Sequence, residues 1–285
     1  MSTKLINKHG IMQSKELTIF EKLETFGITL EELHYKNFPK IVVSFSGGRD
    51  SQACLKIACD KYGADNVLAA FADVKNEHPT TYKHIDRVIC DYGCGFAKYT
   101  AGTVYDVVDK RGYFPNDTVR FCTSLLKLRP AKYFECCLSA ENDCNGFTVY
   151  VGIRGDEGMA RQKRYQDAYH DEVYTRNDIM GTVYPAYMHK RYNVYVQMPL
   201  LDSSLGDVIH LLGDTANPLY AQGQESVGCF PCLAAGDKAK QHAFEMDAFG
   251  LEQYNRFSVL AKKHNIKLFT GKKTAHLNGC LFCRM

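Results

Sequence analysis

At 285 residues, 45% hydrophobic and 24% charged, the chain has the makeup of an ordinary globular protein with room for one substantial core. No apolar run approaches the ~18 residues of a membrane helix, and the first twenty residues lack the apolar stretch of a secretion signal. Membrane and secreted classes are therefore set aside, and a cytoplasmic protein is expected. The net charge of +3 is spread along the chain, with short basic clusters at Arg161–Arg164 and Lys272-Lys273 that read most simply as solvated surface.

In chain order, residues 1–40 read as a helical segment, with Ile19, Phe20, Leu23, Phe26 and Leu30 at near-helical spacing. The run Lys40-Ile-Val-Val-Ser-Phe-Ser46 predicts a buried parallel strand that ends in two glycines. Residues 50–62 follow as an amphipathic helix closed by Gly63. A second strand is expected at Val67–Ala72 and a second helix at Thr80–Tyr92. Gly95–Tyr99 reads as a strand and Thr103–Lys110 as a helix. Leu125–Ala140 reads as a helix interrupted near Pro130. Strands at Thr148–Gly152 and Val194–Met198 precede a helix that begins at Ser203 or Ser204 and ends at Leu212.

Strand–helix alternation of this kind predicts an α/β fold, a doubly wound, mostly parallel sheet with helices on both faces. Residues 165–193 interrupt it as an excursion or lid. The expected organisation is a helical segment over 1–40, a nucleotide-binding α/β domain over 41–216 and a cysteine-rich helical region over 217–285.

The segment Ser46-Gly47-Gly48-Arg49-Asp50-Ser51 carries the strongest chemical signal. Consecutive glycines let the backbone turn sharply and approach a ligand without interference from a Cβ. The two serines add hydroxyls, and the free N–H groups of the following helix complete an anion nest suited to a pyrophosphate. The sequence fits neither the Walker loop nor the dinucleotide-binding glycine turn.

Twelve cysteines in a chain without an export signal point to buried thiols or metal ligands rather than disulfides. Cys54, Cys59, Cys90 and Cys136 lie in apolar helical patterns and read as core fillers. Cys229-x-x-Cys232 and Cys280-x-x-Cys283 each follow a glycine. Two such pairs can supply four thiolates to one zinc ion or one iron–sulfur cluster, and they are also compatible with a dithiol–disulfide couple.

The hexapeptide at 46–51 resembles the PP-loop motif of the adenine nucleotide α-hydrolase superfamily. Phe71-Ala-Asp73 through Pro79-Thr-Thr81, Arg120-Phe-Cys122-Thr123 through Lys127 and Pro130, and Gly152-Ile-Arg154-Gly-Asp156-Glu157 through Arg161 are similar to successive elements of phosphoadenosine phosphosulfate reductase-like proteins. Met198-Pro199 through Asp202, Pro218-Leu-Tyr220 and Gly228-Cys229-x-x-Cys232 follow in the same order. The resemblance covers roughly residues 40–235.

It implies an enzyme that binds ATP through Ser46, Gly47, Gly48, Arg49, Asp50, Ser51 and Asp73, with Asp50 orienting Mg2+. Lys127, Arg154 and Arg161 would stabilise charge that develops on phosphate. The intact pair of glycines resembles ATP-using members, among them the DNA phosphorothioation sulfurtransferase, more than assimilatory reductases. The implied activity is adenylylation in sulfur transfer, with a sulfur donor protein and a nucleic-acid acceptor as candidate partners. An adenylyl sulfate reductase and a nucleotide-binding regulatory or defence component are the alternatives. The resemblance also implies a [4Fe–4S] cluster on Cys122, Cys229, Cys232 and one of Cys280 and Cys283, in place of closure by the two pairs alone.

Overall fold

The computed structural model describes residues 3–6, 12–15, 17–116, 118–175 and 187–269. β1 (Thr3–Ile6) and β2 (Met12–Lys15) pair as an antiparallel hairpin. The main sheet has six strands in the order β3-β6-β5-β4-β7-β8. These are β3 (Thr29–His34), β4 (Ile41–Ser44), β5 (Val67–Ala72), β6 (Gly95–Thr100), β7 (Phe147–Tyr150) and β8 (Val194–Gln197). All neighbours are parallel except β3, which runs antiparallel to β6 along one edge.

Side chains alternate along β4, and the alternation divides the core. Ile41, Val43 and Phe45 join helices Arg49–Tyr62, Pro79–Tyr92 and Leu205–Leu212 on one face. Val42 joins helices Ile19–Glu24 and Arg129–Ala140 on the other. The doubly wound α/β arrangement expected from the strand–helix pattern is therefore present. Its strand order reverses between β4 and β7, where open α/β sheets form their ligand crevice. No helix among the described residues is long and apolar enough to cross a membrane.

The N-terminal segment departs from the helical expectation. A capping box formed by Thr18 and Glu21 starts a helix that stops at Glu24, and Gly27 turns the chain at φ +71°. Residues 29–34 then form β3. Leu30 and Leu33, three apart, imitate helical spacing, but a register shift between Leu30 and Glu32 lets both pack on the same core.

Pro130 does not break its helix either. The run Phe121–Thr123 passes through a π-helical turn, Ser124–Leu128, into Arg129–Ala140. The widened turn accommodates the missing N–H of proline upstream of the ring. Cys54 and Cys136 are buried as expected, whereas Cys90 is exposed. The inward face of its helix is set by Thr81, His84, Ile85 and Val88, and two further residues carry the chain about 200° round. Within the expected excursion, Tyr174 pairs with Val196 along the outer edge of β8; residues 176–186 lie outside the described residues. The C-terminal helices Asp237–Glu245 and Ala248–His264 share a third apolar cluster with Val74, Val104 and Phe121.

A buried polar network ties three elements together behind β4. Gln52 Nε2 donates to the Thr215 carbonyl at 3.0 Å, which leaves its Oε1 to accept from His84 Nε2, also at 3.0 Å. Arg87 donates to His84 Nδ1 at 3.1 Å and to the Thr215 carbonyl at 3.1 Å. These contacts fix a neutral His84 protonated at Nε2. Burial, helped by the Arg87 charge, pushes its pKa down to about 4.

The unfolded chain takes up this proton near pH 6.5, while the folded chain resists it until about pH 4. Stability due to His84 is therefore complete above about pH 6.5 and is lost as the pH falls toward 4. Replacing His84 with Gln should flatten the fall in melting temperature across that window. An unchanged slope would show that His84 does not carry it.

Candidate nucleotide site

β4 delivers the Ser46–Ser51 loop to the C-terminal edge of the sheet. Gly47 adopts φ +73°, and a Cβ there would stand 3.0 Å from both Ile85 Cγ1 and Thr81 Cγ2. Gly48 caps the helix Arg49–Tyr62, whose first turn carries Asp50. Inside the loop, Ser46 N donates to Ser51 Oγ at 3.1 Å, and Ser51 Oγ donates to the Gly48 carbonyl at 2.9 Å. The loop is thus preformed.

β7 ends beside it. A Cβ on Gly152 would lie 3.0 Å from the carbonyl carbon of Asp50 and 3.1 Å from Ser51 N, so a larger residue would press on this backbone approach. Two residues later, Arg154 Nε donates to Asp50 Oδ1 at 2.8 Å, with both side chains buried. Arg154 also pairs with Asp156 and lies 3.9 Å from Glu157, which in turn pairs with Arg161. Arg154, which the resemblance offers as a stabiliser of phosphate charge, thus contacts the loop through Asp50, and Arg161 pairs with Glu157.

Two cavities share Ser46 as a lining residue. The first lies over the ends of β4 and β5 and is lined by Phe45, Ser46, Ala70, Phe71, Tyr99 and Lys127, among others. Tyr99 is stacked on Phe134 with ring centroids 4.8 Å apart. Lys127, on the π-helical turn, supplies the positive charge of this cavity. The second lies against the loop and is lined by Ser46, Gly48, Asp50, Ser51, Tyr220, Ser226 and Val227. Its side chains offer oxygen donors, a set suited to a hard cation such as Mg2+ accompanying a nucleotide.

Asp73 lines neither cavity. Its carboxylate accepts from Lys75 N at 2.7 Å and Tyr82 Oη at 2.8 Å, and lies 3.0 Å from Lys75 Nζ. Burial acts to raise its pKa, but these partners together hold it below the usual carboxylate range. Asp73 therefore organises the turn after β5. That turn brings Glu77 to within 3.9 Å of Lys127. Burial pushes the Glu77 carboxyl up to about 7 against the opposing pull of Lys127.

The cysteine turn docks on the same segment. Cys229 bridges Glu77 in antiparallel fashion, Phe230 N donates to the Asn76 carbonyl at 2.6 Å, and Asn76 Nδ2 donates to the Phe230 carbonyl at 3.2 Å. His78 supports the turn with its ring against Phe230 and Phe249. Its Nδ1 accepts from Thr80 N, so Nε2–H donates to Asp247 at 2.8 Å. Cys122 and Cys229 pack against one apolar cluster. Among the described residues, however, no three Cys, His, Asp or Glu side chains form a group that could hold a metal ion. Cys280 and Cys283 lie outside the described residues.

A family model for the phosphoadenosine phosphosulfate reductase domain matches residues 40–235. The chain belongs to this family. It is 29% identical over 197 residues to the uncharacterized protein MJ0066 of Methanocaldococcus jannaschii, a match covering 68% of this chain and 36% of that protein. It is 26% identical over 223 residues to the uncharacterized protein MJ0973 of the same organism, covering 75% of this chain and 47% of that protein. The matches thus span less than half of either relative. The crystal structure of phosphoadenylyl-sulfate (PAPS) reductase from Candida auris aligns at TM-score 0.41 and 17% identity, covering 75% of this chain and 89% of that chain.

The part of the chain matched to the PAPS reductase domain contains both cavities and the cysteine turn. Asp247 and Phe249, which brace His78, lie beyond it.

Glu77, Gly152 and Tyr220 stood in the family-like segments without an assigned role, Asn217 stood outside them, and the structure brings all four beside the loop or Lys127. Gly152 carried a readable signal, a glycine closing a buried strand. The contacts of Tyr220 and Asn217 bridge 171 and 170 residues and left no local trace.

Arg154→Met should destabilise the protein by roughly 3–5 kcal/mol, because it leaves Asp50 buried without its cation. Adding Asp50→Asn should recover part of that loss. Urea unfolding of the single and double variants measures both. Equal stability of Arg154→Met and wild type would remove the pair from the account.

Proposed function

We propose that this protein binds ATP across the two cavities and transfers its adenylyl group to an acceptor, releasing pyrophosphate, in the service of sulfur transfer. The observation that carries the reading is that Ser46 lines both cavities. One is walled by apolar strand ends and Tyr99 and suits a base. The other is walled by the preformed anion loop and suits phosphates.

A nucleotide spanning them brings its α-phosphate to the junction, near Ser46 and Lys127. An acceptor oxygen attacks that phosphorus, and the bond to the oxygen bridging the α and β phosphates breaks. The electron pair leaves with pyrophosphate. Loop N–H groups and the Lys127 ammonium would stabilise the charge that develops as the bond breaks. Arg154 holds Asp50, and thereby the first helical turn, at fixed distance from β7. Mg2+ bound with ATP would neutralise phosphate charge, with Asp50 and the cavity hydroxyls as its protein-side oxygens.

The membership of the PAPS reductase domain family supports a nucleotide substrate, and the intact Gly47-Gly48 supports ATP over an adenylylated sulfate. The Cys229–Cys232 turn, docked beside Glu77, supports the link to sulfur.

Gly48→Val places a branched side chain where even a Cβ would stand 3.1 Å from the Val227 carbonyl and 3.4 Å from Tyr220 Oη. It should weaken binding of a non-hydrolysable ATP analogue at least tenfold in calorimetric titration, with the fold retained. Wild type should release pyrophosphate on addition of ATP and acceptor. Unchanged binding in Gly48→Val would reduce the loop to a turn. Thiol-dependent release of sulfite from adenylyl sulfate would replace the proposed reaction with a reduction.

A further inference from the structure

The segment Asn217–Val227 lies across the phosphate loop as a strap. At its start, Asn217 is buried and donates through Nδ2 to the Gly47 carbonyl and to Thr81 Oγ1, each at 3.3 Å. In its middle, the Tyr220 hydroxyl accepts from Arg49 N at 3.1 Å. The Arg49 guanidinium lies over the Tyr220 ring, 4.2 Å from its centroid, and donates to the Glu225 carbonyl at 2.8 Å. At its end, Ser226 and Val227 line the outer wall of the loop cavity. The cysteine turn follows directly and is pinned by the Asn76–Phe230 pair of hydrogen bonds.

Arg49 N belongs to the first residue of the loop helix, with Gly48 as its cap. It is one of the N–H groups that a helix leaves unsatisfied within itself and that an anion recruits. Here a neutral hydroxyl oxygen receives it. One N–H makes one good hydrogen bond, so a phosphate oxygen and the Tyr220 oxygen compete for it. A phosphate entering the cavity also meets the strap as its facing wall.

From this geometry we infer that Tyr220 is a gate. Its hydroxyl stands in for a phosphate oxygen at the Arg49 N–H, and the strap must give way there when pyrophosphate, or the terminal phosphates of a nucleotide, occupies the loop. The inference rests on the proposed use of the loop as an anion site. It deepens that reading by assigning the strap to pyrophosphate exchange. The same geometry supplies a means of product release, because the hydroxyl re-forms its bond to Arg49 as pyrophosphate departs and lowers the cost of emptying the nest.

Tyr220→Phe removes the competing oxygen while keeping the ring that supports Arg49. Pyrophosphate, a non-hydrolysable ATP analogue and AMP are each titrated calorimetrically with magnesium into wild type and variant. The expected result is a Kd for pyrophosphate and for the analogue about three- to tenfold lower in Tyr220→Phe, the range set by one net hydrogen bond. AMP, which lacks the terminal phosphates, should bind both proteins equally.

General damage to the site loosens binding, so tightening separates a gate from a merely structural tyrosine. Equal or weaker binding of pyrophosphate by the variant, with wild type binding normally, overturns the gate and leaves the proposed function standing. Tightening shared by AMP also overturns it, because the effect would not be specific to the loop. Absence of binding in both proteins overturns the gate together with the reading of the loop as an anion site.

Discussion

Asp50 sits in the first turn of the loop helix, below the surface, where an isolated carboxylate would be strongly disfavoured. Arg154 makes that position tenable, and it does so from a different strand. Because Gly152 lets the end of β7 run against the backbone of Asp50 and Ser51, the guanidinium reaches the carboxylate without stretching either element. The contact therefore acts as a spacer across the switch point of the sheet. The loop's donors, the cavity beside them and the segment that walls it take their positions from this fixed distance.

The cations follow from that constraint. Arg154 is buried among Asp50, Asp156 and Glu157, and Arg161 is tied to Glu157. Lys127 lines the cavity over the strand ends from the π-helical turn, within 3.9 Å of Glu77. Asp73 and Asp50 divide similarly. The first is consumed by a turn, and the second borders the cavity.

What could be read from the sequence was local. A β-branched run ending at Ser46-Gly47-Gly48 announces its strand and turn because every relevant interaction lies within a dozen residues. The mostly parallel pairing followed from alternation alone, although the strand order did not. β3 was hidden because a bulge lets Leu30 and Leu33 share a face, and Cys90 was misplaced because an apolar neighbourhood does not fix helical phase. The two arginines could be picked out by resemblance, but their ion-pair partners could not, since Asp50 lies 104 residues before Arg154. Tyr220 shows the limit most plainly. Its hydroxyl meets a backbone N–H, and a backbone group has no signature in a sequence.

The pairing of Asn76 with Phe230 joins segments 154 residues apart, and that of Asn217 with Gly47 joins segments 170 apart. During synthesis the sheet can assemble as soon as β8 has emerged, with the anion loop already shaped at its edge. The outer wall arrives only after the chain near residue 230 leaves the ribosome and docks. Until that segment docks, the helix N–H groups at the loop lack the wall that Tyr220, Ser226 and Val227 supply.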